Sequence, residues 1–404
     1  MQVDKVYMEK MTLRDVDVEG KKVLMRVDFN VPLEDGKITD DNRIVQALPS
    51  IQFVIQRGGK LILMSHLGRP GGEPDESLSL RPVAEHLQTL VDAKVHFAED
   101  CIGKKAASVV EEAKDGEIVL LENVRFHKGE KANEEEFSKS LAAHGDLFCN
   151  DAFGSSHRAH SSVAGVTRYL QPAVSGFLLE KEIKYLSGSI NDPERPFVSI
   201  LGGAKVSDKI GVIENLLSKV DTIIVGGGMT YTFYKAKGLP VGNSLVEDEK
   251  VELAAQIMEK AEKQGVKFVL PIDSVVAKEF KNEAEHKVVG EDGIEEGWMA
   301  LDIGPQSAIS FGNIIKGAKT VVWNGPMGVF EMENYAEGTF SVAEALADAT
   351  KQGATTIIGG GDSAAAIKKA GLEDQVSHVS TGGGASLMFL EGKDLPGVVA
   401  LTDK

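Results

Sequence analysis

Short apolar runs alternate with amphipathic segments along the whole chain. None of these runs alternates apolar and polar residues with period two, which predicts strands that are buried on both faces. Strands that alternate with helices in this way predict an α/β fold built on parallel sheets. The predicted strands are 23–27, 61–65, 118–122 and 146–150 in the first half, and 197–201, 222–225, 267–270, 320–323, 355–358 and 378–381 in the second half.

A helical segment followed by structure breakers separates these two series of strands. Residues 176–186, GFLLEKEIKYL, have helical periodicity, and Pro193 and Pro196 interrupt the segment that follows. A chain of 404 residues is long enough for two domains. We therefore predict two doubly wound, Rossmann-like parallel-sheet domains joined by a hinge helix, with the first domain at residues 1–173 and the hinge helix and second domain at 174–394.

Composition and charge narrow the class of protein. Apolar residues at 42% and charged residues at 26% are typical of a globular protein. The net charge of −17 argues against a nucleic-acid or anionic-membrane partner, so an anionic ligand would need a local basic pocket. Cys101 and Cys149 lack the spacing of a zinc site and are predicted to be buried thiols. No apolar run has the length of a signal peptide or membrane span, so we expect a cytoplasmic protein.

Arginine and glycine are distributed unequally between the two halves. All ten arginines lie in the first 195 residues, whereas 28 of the 43 glycines follow residue 195. Chance drift of composition would explain this division, and so would two domains that bind different ligands.

Polar and basic side chains follow four predicted strands of the first half, where ligands bind in open parallel sheets. They are Asp28, Asn30 and, shortly after, Arg43; then His66 and Arg69; then Arg125; and finally the segment 151–160, which contains Arg158. Any one of these arginines, taken alone, is better explained as a solvated surface residue than as a ligand. Together they predict a site for a multiply charged anion, because guanidinium groups pair bidentately with carboxylate and phosphate oxygens. His157 and His160 are equally compatible with packing roles.

Glycine-rich loops follow the strands of the second half, at 201–205, 226–229, 323–328, 359–363 and 381–386. Glycine lets the backbone approach a ligand closely, and a helix that begins after it offers free N–H groups to a phosphate. Five such loops predict a nucleotide site, with tight turns as the alternative. Asp362 or Ser363 is expected to cap the helix that follows, and Asp362 is a candidate magnesium ligand. Lys205 and Lys209 are expected on one face at the start of a helix, either as phosphate ligands or as surface lysines.

The usual nucleotide-binding motifs are absent from the chain. It contains no GxxxxGK[ST], no GxGxxG after the first strand and no HRD or DFG set, which argues against P-loop enzymes, standard dehydrogenases and protein kinases. The remaining hypothesis is a protein that binds a nucleotide on its glycine-lined domain and a small anion on its arginine-lined domain.

Nine segments resemble, in order and over essentially the whole chain, the signature segments of the phosphoglycerate kinase family. They are RVDFNVP (26–32), SHLGRP (65–70), LLENVRFHKGE (120–130), NDAFGSSHRAHSS (150–162), GFLLEKEI (176–183), GGAKVSDKI (202–210), WNGPMGVFE (323–331), GGGDSAAA (359–366) and STGGGASL (380–387). The resemblance implies a glycolytic and gluconeogenic enzyme, a monomer, that transfers a phosphoryl group reversibly between MgATP and the C1 carboxylate of 3-phosphoglycerate. It also implies that residues 395–404 return to the first domain, at the hinge.

Carried over position by position, the resemblance assigns a role to each candidate residue. For 3-phosphoglycerate these are Asp28, Asn30, Arg43, His66, Arg69, Arg125 and Arg158, with Arg43 also a catalytic cation. For the nucleotide they are Lys205, Lys209, Gly226, Gly227, Gly228, Asn324, Pro326, Glu331, Gly360, Gly361, Asp362 and Ser363, with Asp362 on the metal. Lys209 and the N–H groups of Gly382, Gly383 and Gly384 would contact the phosphoryl group in transit. Gly71 and Met388 stand where the family usually has lysine and glutamate.

The implied chemistry needs no general base, because a carboxylate acceptor with a pKa near ~4 is already ionised at neutral pH. Catalysis then depends on positioning and on charge stabilisation, and closure of the two domains is expected. The rival hypotheses are a two-domain binding protein for anionic ligands and another small-molecule kinase, for which a base beside an alcohol acceptor would be expected.

Overall fold

The computed structural model describes residues 10–404, so the first nine residues of the predicted first domain lie outside the described part. The chain divides into two compact units. The first contains the described residues up to Lys184 together with Asp394–Lys404, and the second contains Tyr185–Lys393.

The first unit is built around a six-stranded sheet. Its order is β5-β6-β4-β1-β7-β8, and all neighbours are parallel. These strands are β1 (Lys22–Arg26), β4 (Lys60–Met64), β5 (Val95–Ala98), β6 (Ile118–Leu121), β7 (Leu147–Asn150) and β8 (Ala173–Ser175); β2 (Leu33–Glu34) and β3 (Lys37–Ile38) form a separate antiparallel pair. The helices are α1 (Asn42–Gln56), α2 (Arg81–Leu90), α3 (Gly103–Glu112), α4 (Lys128–Ala132) and α5 (Glu135–Ala142). The chain order reverses between β1 and β7, which is where doubly wound sheets bind ligands.

A second six-stranded parallel sheet, of order β11-β10-β9-β15-β16-β17, forms the second unit. Its strands are β9 (Phe197–Leu201), β10 (Thr222–Val225), β11 (Lys267–Val269), β15 (Thr320–Asn324), β16 (Thr355–Gly359) and β17 (His378–Val379). Here the order reverses between β9 and β15. The prediction of two doubly wound parallel sheets is therefore confirmed.

An antiparallel sheet that the sequence analysis does not predict also belongs to the second unit. It contains β12 (Asp273–Ala277), β13 (His286–Gly290) and β14 (Met299–Ile303), in the order β13-β12-β14.

The remaining α-helices extend from the junction between the two units to the C-terminal segment. They are α6 (Phe177–Asn191), α7 (Ile210–Leu216), α8 (Thr230–Ala236), α9 (Val251–Lys263), α10 (Pro305–Lys316), α11 (Glu337–Lys351), α12 (Gly361–Lys369), α13 (Gly383–Leu390) and α14 (Pro396–Val399). Within the first unit, the Gly397 N–H donates to the Ser156 carbonyl at 2.9 Å and the Thr402 N–H donates to the Ala173 carbonyl at 2.8 Å.

Helix α6 matches the predicted helical segment, but its first half packs with the first unit, whereas the sequence analysis assigns the whole helix to the second. The reason lies in the contacts of its first turns. The Phe177 and Phe53 rings meet edge to face at 5.0 Å, and Glu180 pairs with Arg14. Asp151 accepts hydrogen bonds from the N–H groups of Leu178 at 2.9 Å and Leu179 at 3.1 Å.

The Asp151 carboxyl makes the stability of the first unit depend on pH. Burial raises its pKa to about 6, against the opposing effect of its hydrogen bonds. Because the pKa of the folded state is raised, this group stabilises fully below its ordinary pKa and loses that contribution as pH rises towards 6 and beyond. We expect it to lower the free energy of unfolding by about 1 kcal/mol between pH 5 and pH 7.

Urea unfolding at pH 5 and pH 7 measures this effect in wild type and in Asp151→Asn, whose amide oxygen can still accept both helix N–H groups. The variant should lose that part of the pH dependence, whereas the exposed control Asp115→Asn should keep it. Equal pH dependence in wild type and Asp151→Asn would contradict the assignment.

Candidate active site

Asp28, Arg43 and His66 meet at the carboxyl edge of the first sheet. Asp28 follows β1, and its Oδ1 lies 2.8 Å from the Arg43 Nη1 and 4.0 Å from the His66 Nδ1. Burial would raise the pKa of Asp28, but the charges of Arg43 and Arg26 and a hydrogen bond from the Asn30 N–H oppose it, and the pKa is lowered. The Arg43 side chain is 38% exposed, so it can pair with Asp28 and still reach a ligand.

Arg26 is a residue that the sequence analysis misses. It belongs to an apolar run, yet its guanidinium is fully enclosed: Nε donates to the Ser162 hydroxyl at 2.8 Å, Nη2 lies 3.1 Å from the His66 Nδ1, and Nη1 donates to the Val27 carbonyl. Because a guanidinium only donates, Nδ1 of His66 must be the acceptor and its proton sits on Nε2. Burial and the charges of nearby arginines lower the pKa of His66 well below its usual value, which keeps the ring neutral.

Asn30 and Arg125 hold the loop that follows β4. The Asn30 Oδ1 accepts from the Gly68 N–H at 2.8 Å, and Arg125 Nη1 donates to the Gly68 carbonyl at 2.8 Å. Burial, together with the charges of Arg158 and Arg26, lowers the pKa of Arg125 to about 10. Its Nε is buried without a partner among the described residues. A buried cation with an unused donor among other cations is a site that an anion would stabilise.

Arg158 and Arg69 complete the predicted set of cations. Arg158 Nε is 3.1 Å from the His157 Nε2, and its charge acts on Arg26, His66 and Arg125. Arg69 lies on the loop after β4 and is exposed. The structure thus brings together Asp28, Asn30, Arg43, His66, Arg125 and Arg158 at one sheet edge and leaves Arg69 at its rim.

A buried carboxylate balances part of this positive charge. Glu130 is completely buried and accepts from the Ser162 N–H at 2.9 Å and the Ser162 hydroxyl at 2.7 Å. Burial would raise its pKa, but His160, Arg26 and Ser162 lower it. Since the same hydroxyl accepts from Arg26, a single serine joins the two buried charges.

The five glycine-rich loops lie at the carboxyl edge of the second sheet, and those at 201–205, 226–229 and 323–328 are hydrogen-bonded to one another through their backbones. Gly203 donates to the Pro326 carbonyl at 3.2 Å, and Gly227 donates to the Met327 carbonyl at 2.9 Å. Gly227 has φ +70°, and a Cβ there would lie 2.6 Å from the Gly203 nitrogen. Gly226 and Gly228 flank it on the same loop. No side chain fits between these two loops, so this part of the edge is a surface of backbone groups.

Lys209 lies at this edge, bonded through Nζ to the Oδ1 of Asn324. Burial lowers its pKa, while Asp208, Asp362 and Glu391 oppose the shift. The Asn324 Nδ2 is buried without a partner in the described structure. A half-buried ammonium and an unused amide donor at the point where the strand order reverses can both bind phosphoryl oxygens.

The prediction that Lys205 and Lys209 share a helix face is wrong. Helix α7 begins only at Ile210, so Lys205 precedes it and Lys209 is its N-cap. Gly203, at φ +120°, turns the chain, and Glu247 accepts from the Ser207 N–H at 3.0 Å and from its hydroxyl at 2.6 Å. Lys205 is therefore an exposed loop residue, and its charge acts on Glu247.

Two helix N-termini approach each other beside Asn324. A Cβ on Gly383, at the start of α13, would lie 2.9 Å from the Gly361 nitrogen at the start of α12. The expected side-chain cap of α12 is absent: Gly360, at φ +95°, is the N-cap, and Ser363 instead accepts from the Gly325 N–H at 2.6 Å. The first N–H groups of α12 thus lack a side-chain cap, as an anion site requires. Asp362 and Gly384 are exposed in the first turns of these helices.

Glu331 is exposed in the loop after β15, five residues beyond Pro326. The two departures from the family pattern are not among the residues that make these contacts. Gly71 is exposed at φ +78°, where a Cβ would meet nothing within 4 Å, and Met388 is half-buried in α13.

Among the described residues, no helix combines the length and apolar character needed to cross a membrane.

Comparison with known proteins gives one consistent family. The model of the family described as Phosphoglycerate kinase matches residues 13–393. Phosphoglycerate kinases of Chloroherpeton thalassium and Chlorobium limicola are 59% and 57% identical to the chain, and each alignment covers 98% of this chain and 100% of the relative.

Solved structures agree with this result. Phosphoglycerate kinase from Coxiella burnetii superimposes with a TM-score of 0.88 at 42% identity, and that from Pyrococcus horikoshii with 0.83 at 33%; both comparisons cover 97% of this chain and 98% of the other. A family model that spans nearly the whole chain, relatives of equal length and a shared two-sheet fold lead to the same conclusion: the chain is a phosphotransferase that belongs to the phosphoglycerate kinase family.

Proposed function

We propose that this protein transfers a phosphoryl group reversibly between MgATP and the C1 carboxylate of 3-phosphoglycerate, producing ADP and 1,3-bisphosphoglycerate. The observation that carries the proposal is that one chain contains both an arginine-rich edge on one parallel sheet and a glycine-lined edge on the other. A carboxylate acceptor is already ionised at neutral pH and needs no general base. A binding protein would not require the second edge. We further propose that the enzyme is a monomer and acts in the cytoplasm.

The first edge would bind 3-phosphoglycerate through the positive charge of its arginines and would orient it through the different side chains at its two ends. Arg125, Arg158, Arg69 and the neutral His66 would hold the 3-phosphate side, and Asp28 and Asn30 the glycerate end. Arg43, held by Asp28, would lie against the group in transfer. A guanidinium stabilises the charge that spreads over the equatorial oxygens in a loose transition state.

The second edge would bind the nucleotide mainly through backbone groups. Gly226, Gly227, Gly228, Pro326 and Glu331 would line the nucleoside pocket, and Lys205 would reach its phosphates from the exposed loop. Lys209, Asn324 and the uncapped first turns of α12 and α13 would hold the phosphate chain, and the N–H groups of Gly383 and Gly384 would face the group in transfer. Reaction requires that the reacting atoms of the two ligands come within about 3.5 Å.

Magnesium fits this edge through Asp362. The donor is an exposed carboxylate, and Mg²⁺ in phosphoryl-transfer sites is held by one or two carboxylates together with substrate phosphates and water. When bound, the ion would neutralise phosphate charge. Asp362 also lies close enough to Lys209 for its charge to affect that ammonium.

Turnover of ATP with 3-phosphoglycerate and magnesium, with hydroxylamine to trap the acyl phosphate, tests the proposal. We expect hydroxamate to form in proportion to ADP, and none to form with glycerol 3-phosphate, which offers an alcohol in place of the carboxylate. ADP without hydroxamate would refute a carboxyl acceptor.

Loss of the His66 ring should weaken substrate binding more than it slows the chemical step. Because Nε2 carries the proton, we expect His66→Leu to raise the KM for 3-phosphoglycerate about tenfold or more, the cost of a hydrogen bond to a charged group. Steady-state kinetics measure KM and kcat, with His96→Leu as the control for a histidine away from this edge. A fall in kcat at unchanged KM would contradict the proposed role.

A further inference from the structure

A cluster of three metal-binding side chains follows the two outer strands β5 and β6 of the first sheet and shares no residue with the candidate active site. Asp100 and Cys101 follow β5, and His127 follows the turn Val124–Phe126 after β6. One ligand atom from each residue lies within 4.8 Å of the other two. The sequence analysis excludes a zinc site on spacing alone, but the parallel pairing of β5 and β6 brings together residues 26 positions apart.

The contacts within the cluster are compatible with a shared ion. The His127 Nε2 lies 2.8 Å from the Asp100 Oδ1, which also accepts from the Cys101 N–H at 2.7 Å. Cys101 is completely buried and forms no disulfide. A buried free thiol thus lies within 4.8 Å of an imidazole nitrogen and a carboxylate oxygen.

The surrounding charges favour a cation at this position. Asp100 belongs to the cluster, and the carboxylates of Glu130 and Glu122 lie close enough for their charges to act on Cys101. This negative charge attracts a divalent ion, which would neutralise it.

We propose that Asp100, Cys101 and His127 bind Zn²⁺. Thiolate and imidazole ligands favour zinc over Mg²⁺ or Ca²⁺, and three protein ligands leave a fourth, tetrahedral position for water. The thiol releases its proton to solvent, the His127 proton moves from Nε2 to Nδ1, and the ion replaces the bond between His127 and Asp100. Both of these side chains are partly exposed, which gives the ion a path to the buried sulfur.

The position of the site gives it a structural consequence. His127 lies two residues after Arg125, so a bound ion would tie the loop that begins at Asp100 to the turn that carries this arginine. This inference does not depend on the proposed catalytic roles.

Binding to the untagged full-length protein, stripped with a chelator, tests the site. We expect one equivalent of Zn²⁺ to bind in competition with a chromogenic chelator, and Co²⁺ to give a thiolate charge-transfer band. Removal of a ligand should weaken Zn²⁺ binding more than the ~10–100-fold cost of losing an outer-shell partner.

His127→Gln is the informative variant, since His127 is partly exposed and its loss leaves the buried core intact; Cys101→Ser should abolish the Co²⁺ band. The matched control is His96→Gln, because the His96 Nε2 pairs with Glu117 at 2.7 Å in the same unit without a thiol. Unchanged Zn²⁺ affinity in His127→Gln, equal losses in both histidine variants, or no thiolate band in the wild type would overturn the proposal.

Discussion

Replacement of Arg43 by alanine is expected to lower kcat by roughly 10²–10³-fold, the typical cost of removing one donor that stabilises transition-state charge. Arg43 is the one arginine of the first edge that is both paired with Asp28 and partly open to solvent, at 2.8 Å and 38% exposure. In the proposed role, its loss removes a cation from the group in transfer and leaves the nucleotide edge untouched. The affinity for MgADP should therefore remain unchanged.

Two further variants distinguish a catalytic role of Arg43 from a general effect of removing a partly exposed arginine. Arg81→Ala is the matched control, because Arg81 is 52% exposed and pairs with the carboxylate of Glu99 at 3.3 Å in the same unit. Arg43→Lys keeps the charge but loses the bidentate fork and should recover only part of the rate. The measurements are steady-state kcat and calorimetric binding of MgADP. A rate in Arg43→Ala within a few-fold of that in Arg81→Ala would refute the catalytic role.

Ten of the twelve parallel strands within residues 10–404, all except β5 and β8, could be predicted from the sequence, because buried strands leave an uninterrupted apolar run. Strands β5 and β13 could not be predicted in this way. VHFA at β5 is short and half-buried at the sheet edge, and HKVVG at β13 alternates exposed with half-buried residues. The antiparallel partners of β12 are separated from it by loops with no hairpin signal, so their pairing depends on tertiary contacts.

Prediction from local sequence was limited in the same way for single residues of the candidate site. Strand ends predicted which side chains lie at each edge, because parallel strands share one carboxyl edge. The turn at Gly203 is set by backbone conformation and by Glu247, forty residues downstream of Ser207, so local periodicity placed Lys205 on a helix it does not join. Arg26 looked like part of an apolar run because its partners, Ser162 and His66, come from distant segments.

Replacement of Arg26 by methionine is expected to lower the free energy of unfolding by about 3–5 kcal/mol, the cost of leaving the partner of a buried charge pair uncompensated. The guanidinium is 1% exposed and Glu130 is fully buried, with the Ser162 hydroxyl bonded to both. Without Arg26 the Glu130 carboxylate keeps its serine contacts but loses the positive charge of this guanidinium, which helps to lower its pKa. Urea unfolding at pH 7 measures the loss.

A double-mutant cycle distinguishes charge compensation from packing. Glu130→Gln removes the opposite charge, so the double variant Arg26→Met with Glu130→Gln should be more stable than the sum of the two single losses predicts. Additive losses would show that the two charges do not interact through Ser162. Recovery of stability should not restore substrate binding, because methionine cannot donate to the His66 Nδ1 and the ring is then free to place its proton on either nitrogen. A KM for 3-phosphoglycerate that stays high in the stabilised double variant would therefore assign Arg26 two separable roles, one in balancing Glu130 and one in orienting His66.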